Sequence, residues 1–198
     1  MARVGLYGGS FDPIHWGHLL PVLAAKERHG LDRVIYLPTA EPPHKRDQRF
    51  APASVRFAMV ELALLEHADL MVSDFEMLRE VCYTVETLEH FRRELPGDQL
   101  FLLIGFDSWL ELGDWHRFAE LPQLAEILVM ARGNRGGGKV PEALQQAVRD
   151  GRVHFVEGPE IGLASRDLRR AWAAGEAPNA GQAPPLVLDY LRKYGLYR

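Results

Sequence analysis

The feature that most constrains this chain is a rhythm. Short apolar runs alternate with longer stretches of helical periodicity along all 198 residues. The runs Val4 to Tyr7, Val34 to Leu37, Leu70 to Val72, Leu100 to Ile104, Ile127 to Ala131 and Val153 to Val156 read as strands. Between them, Leu19 to Arg28, Ser54 to Glu66 and Thr84 to Glu94 carry apolar residues at helical spacing, and Leu186 to Tyr197 reads as a last amphipathic helix. Leu100 to Ile104 is apolar without alternation, the pattern of a strand covered on both faces, as in a parallel sheet. The expectation is therefore an α/β fold, Rossmann-like and doubly wound, with a mainly parallel sheet and helices on both faces. Residues 1–198 are expected to form one domain, with a C-terminal helical part at about 160–198. Gly133 to Gly138 reads as a loop within it, and the strand order is not legible.

Composition narrows the function. With 47% hydrophobic and 25% charged residues, the chain has the profile of a globular protein. Its net charge of -4 lacks the broad basic footprint of a nucleic-acid binder, so a phosphate ligand would need a local cluster of donors. The lone Cys82 can form no internal disulfide and suits a reducing compartment. The opening MARVGLYGGS reads as a first strand rather than a signal peptide, and no apolar run is long enough to span a membrane. A cytoplasmic protein without nucleic-acid or membrane partners is expected.

The unusual residues fall beyond the strand ends, where open α/β sheets bind ligands. After the first strand come Gly8, Gly9, Ser10, Phe11, Asp12, Pro13, Ile14, His15, Trp16, Gly17 and His18. Glycine there lets a phosphate approach the backbone, and a helix starting near His18 would add N–H donors; a plain tight turn would also use two glycines. Neither G-x-G-x-x-G nor G-x-x-x-x-G-K-[ST] follows the strand, so the dehydrogenase fingerprint and the P-loop are both missing. His15 and His18 would share one side of a helical turn. They could bind phosphate, form a metal pair with Asp12, or be close by chance among eight histidines. Lys45 ends a proline-rich loop and could be an ordinary surface lysine. Trp115 could belong to the core or stack on a flat heteroaromatic ring.

The run Gly8-Gly9-Ser10-Phe11-Asp12-Pro13-Ile14-His15-Trp16-Gly17-His18 resembles the signature of bacterial nicotinate mononucleotide adenylyltransferases, including the H-x-G-H of the wider nucleotidyltransferase superfamily. Pro42-Pro43-His44-Lys45, Cys82 to Leu88, Gly105-Phe106-Asp107 with Leu112 and Trp115, and the ending Tyr190 to Tyr197 resemble further stretches of that family, in order and spacing. Leu163 to Arg169 departs from the family's I-S-S-T-x-I-R: Ser165 and Arg169 remain, but Ala164 and Arg166 stand where serine and threonine are usual.

The resemblance implies adenylyl transfer from ATP, with Mg²⁺, to nicotinate mononucleotide. It implies catalytic roles for His15, His18, Lys45 and Arg169. The ATP site would comprise Gly8, Gly9, Ser10, Phe11, His15, His18, Gly105, Asp107, Ser165, Arg166 and Arg169. The mononucleotide site would comprise Ser10, Phe11, Lys45, Thr84, Trp115 and His116, and no residue would be a dedicated metal ligand. Identical subunits could assemble. The rivals are another H-x-G-H enzyme acting on pantetheine phosphate or nicotinamide mononucleotide, or on a cytidylyl donor; a metal-dependent hydrolase; and a non-catalytic nucleotide sensor.

Overall fold

A computed structural model of the chain describes residues 1–40, 50–79, 81–132, 140, 142–159 and 161–198. Its sheet has six strands: β1 (Arg3–Gly9), β2 (Arg33–Pro38), β3 (Leu70–Val72), β4 (Gln99–Gly105), β5 (Glu126–Arg132) and β6 (Val153–Gly158). They lie in the order β3-β2-β1-β4-β5-β6, and every neighbouring pair is parallel. This is a Rossmann-like fold. The helices are α1 (Trp16–His29), α2 (Ala53–Leu64), α3 (Thr84–Glu94), α4 (Phe106–Leu110), α5 (Leu121–Leu124), α6 (Glu142–Arg149), α7 (Ser165–Ala173) and α8 (Pro185–Tyr194).

Strand order explains the layers. The chain steps outward from β1 to β3, returns, and steps the other way from β4 to β6. Right-handed crossovers in opposite directions put their helices on opposite faces. Side-chain alternation in the strands feeds both. Tyr7, Phe101, Leu103, Leu128 and Met130 join residues of α1, α2, α7 and α8 in one core. Val4, Leu6, Leu100, Leu102, Ile104, Ile127 and Val129 join residues of α3 to α6 in the other. The runs of β1, β4 and β5 therefore serve two cores, which is why they show no polar face.

The strand and helix pattern expected from sequence is present, with differences at the ends. Gly8 and Gly9 are not loop residues; they are the last residues of β1, in register with Leu37 and Pro38 of β2. Helix α1 begins three residues earlier than its apolar spacing suggests, because His15 caps it. The last helix stops at Tyr194, where Gly195 takes the left-handed conformation. Because the direction of winding changes between β1 and β4, their carboxyl ends flank a crevice.

Candidate functional site

The H-W-G-H segment is a helix cap built from imidazoles. His15 is the N-cap of α1, and its Nδ1 accepts from the Gly17 N–H at 3.0 Å. Three residues on, His18 reaches back, its Nδ1 accepting from the His15 N–H at 3.3 Å. This is the reciprocal logic of a capping box, with histidine in place of Ser and Glu. The rings lie 3.9 Å apart between centroids. The glycine is required: a Cβ at Gly17 would stand 2.8 Å from Cε1 of His15. Each Nδ1 accepts, so each neutral ring carries its proton on Nε2. Two N–H donors thus sit at the positive end of a 14-residue helix.

Around this cap, side chains grip loop backbone. Phe11 holds a positive φ of 46°, unusual for a bulky residue, and its ring is buried against Tyr7, Tyr36 and His18. That packing offsets the backbone cost and leaves the main chain of Ser10 and Phe11 at the strand end. Asp12 is fully buried; Oδ1 accepts from the Ala51 N–H and from the Tyr197 hydroxyl. Burial, then the Asp12 charge, push the Tyr197 phenol up. Arg169 of α7 donates to the Asp12 carbonyl and lies 3.4 Å from Asp12 Oδ2. Ser165 donates to the Pro13 carbonyl at 3.0 Å, and the Leu163 carbonyl lies beside Gly17. The start of α7 thus meets the H-W-G-H cap. Its own N-cap, Ala164, makes no side-chain capping bond. Arg166 points outward, its side chain 78% exposed.

Arg56 of α2 is fully buried and donates to three carbonyls: Ser10 at 2.7 Å, Ala40 at 2.6 Å and Ala51 at 3.0 Å. It ties the first loop to both flanks of the segment carrying Pro43-His44-Lys45. Burial lowers its pKa, opposed by the nearby Asp12. Lys45 lies outside the described residues.

Across the crevice, Gly105 caps α4 at the carboxyl end of β4, and Asp107 on that helix is exposed. Thr84 opens α3, and the ring of the preceding Tyr83 lies 4.4 Å from that of His116. Arg117, beside His116, bonds Glu89 of α3 at 2.8 Å and Glu120 at 2.6 Å, fixing this turn against α3. Trp115 is half-buried against the second core. Glu76 follows β3, is buried, and accepts from the Thr87 hydroxyl at 2.7 Å. Burial pushes its carboxyl up to about 7, against the lowering effect of that bond.

The structure brings His15, His18, Ser165 and Arg169 together at the end of β1, and Thr84 and His116 to the start of α3. Sequence reasoning missed Arg56 and Glu76, and considered Asp12 only as a metal ligand. Its carboxyl instead anchors Ala51, Tyr197 and Arg169. Arg56 breaks an apolar stripe on α2, which was the only available signal. Chemically, the cap suits binding and neutralising a phosphate, with the donors held before the ligand arrives.

The chain is similar to known proteins in sequence and in fold. The family model described as cytidylyltransferase-like matches residues 6–171. A relative from Neisseria gonorrhoeae (strain NCCP11945), named "Probable nicotinate-nucleotide adenylyltransferase", is 39% identical over 202 aligned positions, covering 100% of this chain and 99% of its own. One of the same name from Thermomicrobium roseum is 38% identical, covering 100% and 92%. In fold, the chain matches the Plasmodium falciparum nicotinic acid mononucleotide adenylyltransferase complexed with NaAD, with a TM-score of 0.78 and 18% identity, covering 100% and 98%.

Proposed function

The chain belongs to the nicotinate-nucleotide adenylyltransferases within the cytidylyltransferase-like family, and from that premise we propose that it transfers the adenylyl group of ATP to nicotinate mononucleotide. The products are nicotinate adenine dinucleotide and pyrophosphate, a step of NAD synthesis. The observation that carries this reading is the imidazole cap at the end of β1, met by Ser165 and Arg169 of α7.

The acceptor phosphate, with a second pKa of about 6, is already the nucleophile at neutral pH and needs no general base. Its oxygen forms a bond to the α-phosphorus as the bond from that phosphorus to the bridging oxygen breaks. The electron pair leaves with pyrophosphate. The barrier is charge and alignment, so catalysis is positioning plus electrostatic stabilisation. His18 and His15 donate from Nε2 to the ATP phosphates, His18 nearest the reacting phosphorus. Gly8, Gly9 and the backbone of Ser10 and Phe11 let phosphates approach the strand end. Arg169 and Ser165 hold the pyrophosphate side. Arg169 commits one nitrogen to the Asp12 carbonyl, out of a fork of five N–H donors. Arg166, exposed at the start of α7, swings onto the same phosphates, and Lys45 neutralises charge between the substrates. Mg²⁺ would be carried in by ATP, held by phosphate and water, and would offset phosphate charge, while the groups of this chain that face the phosphates are imidazoles and N–H donors rather than carboxylates. Gly105 and Asp107 face the adenosine. Thr84 and the backbone at His116 take the pyridine carboxylate, with Trp115 against the ring.

Among the described residues no helix is long and apolar enough to cross a membrane; we place the reaction in the cytoplasm. The test is pyrophosphate release with ATP, Mg²⁺ and each acceptor in turn. Fastest turnover with nicotinate mononucleotide is expected. Preference for pantetheine phosphate, or ATP binding without turnover on any acceptor, would overturn the reading.

A further inference from the structure

Glu76 is a buried carboxyl that the steps above do not use. It is 6% exposed. On one side it accepts from Thr87, in the first turns of α3. On the other it lies beside the exposed end of β1: a Cβ at Gly8 would stand 3.9 Å from both of its oxygens. The Cys82 thiol lies 3.3 Å from the same Thr87 hydroxyl, and the charges that act on that thiol are Glu76 itself, Arg79 and Glu86. A carboxyl is an expensive filler for such a place; an apolar side chain would pack there without the desolvation cost. Titratable groups held in this way cluster where charge matters to a ligand.

We propose that Glu76 is a positioning and acceptor-selectivity residue: bonded to Thr87 and lying beside Gly8, it fixes the start of α3 next to the end of β1, and its charge is what an anionic mononucleotide entering between those elements meets. The idea rests on the acceptor binding beside Thr84, as proposed above. Burial brings the neutral and ionised carboxyl into balance near neutral pH. The neutral form tolerates a neighbouring anion and the ionised form repels it, so acceptor affinity falls as pH rises. Above pH 7 the mononucleotide phosphate is already a dianion, so the ligand's own charge stays constant there.

The experiment is steady-state kinetics between about pH 7 and 8.5 on the wild type, Glu76→Gln and Thr87→Val, with both substrates varied. In the wild type, KM for nicotinate mononucleotide should rise roughly two- to fourfold across that range, a coupling of up to about one pKa unit. KM for ATP should stay flat. Glu76→Gln, which keeps the acceptor oxygen for Thr87, should lose the rise. Thr87→Val removes the bond that favours the ionised carboxyl, so the inflection should move to higher pH; it decides the matter if Glu76→Gln does not fold. A Gln variant with the wild-type pH profile, an unmoved inflection in Thr87→Val, or equal effects on both KM values would overturn the proposal. Wild-type turnover with a flat KM sinks this inference alone, whereas no turnover on the mononucleotide sinks the functional reading beneath it.

Discussion

The two ends of the sheet are built from the same residue types and used in opposite ways. At the amino end, polar side chains bind one another across the strands, while Arg3, Asp32 and Asp98 also bind backbone. Arg3 donates to Gln99 at 2.7 Å, Gln99 to Glu126 at 2.5 Å, and Glu126 meets His154 at 2.8 Å, linking β1, β4, β5 and β6. At the carboxyl end, the side chains chiefly grip loop backbone. Arg56 takes three carbonyls, Arg169 and Ser165 one each, and His15, His18 and Asp12 each accept a backbone N–H. The first arrangement closes an edge. The second fixes loops, so that donors point into a crevice before any ligand arrives. Such preorganisation costs nothing further at the moment of reaction. The difference lies in what the polar groups hold, rather than in which groups they are.

The comparison breaks most readily at His18. Removing this donor should lower kcat roughly 10²–10³-fold while the fold survives, read by pyrophosphate release and far-UV circular dichroism. Near-normal turnover would show that the cap is only a cap.

Arg56→Met tests whether backbone bracing holds the carboxyl end together. Three carbonyls lose a charged donor, and the buried Asp12 loses a neighbouring cation, so about 3 kcal/mol of stability should go, measured by urea unfolding.

Glu76 sharpens the same point through pH. Its folded pKa, about 7, lies above the ordinary value of 4.5. The neutral carboxyl is therefore the form that folding favours. Its contribution is complete below pH 4.5 and is lost as pH rises through 7. Up to about 3 kcal/mol is at stake, and Glu76→Gln should flatten that part of the urea stability curve.

The smallest effect belongs to the amino end. The Glu126–His154 pair is 26% and 33% exposed, so Glu126→Gln should change stability by less than about 1 kcal/mol and leave turnover as it was. A large loss of activity there would erase the distinction between the two ends.

The sequence carried these two levels unequally. The inner strands β1, β4 and β5 were legible because they are covered on both faces and so read as unbroken apolar runs. The juxtaposition of the H-x-G-H histidines was legible because they are three residues apart, a local constraint, but their role as the cap of α1 was not. The braces were not. Arg56 reaches Ser10 across 46 residues and Tyr197 reaches Asp12 across 185, and no local periodicity records such a contact. A lone Arg on a helix or a lone Glu in a turn looks like solvated surface until the fold buries it. Gly8 and Gly9 misled in the other direction: glycine suggests a turn, but pairing with β2 keeps both in the strand.

The central claim is that both imidazoles accept at Nδ1 from the backbone and present Nε2–H to phosphate. Nitrogen-15 NMR of the histidine side chains, before and after adding Mg²⁺ and a non-hydrolysable ATP analogue, tests it directly. The account predicts Nε2–H tautomers for His15 and His18, with their Nε2 signals moving on nucleotide addition while those of His29 and His154 stay in place. Nδ1–H tautomers in the H-W-G-H pair, or shifts as large at the far end of the sheet, would contradict it.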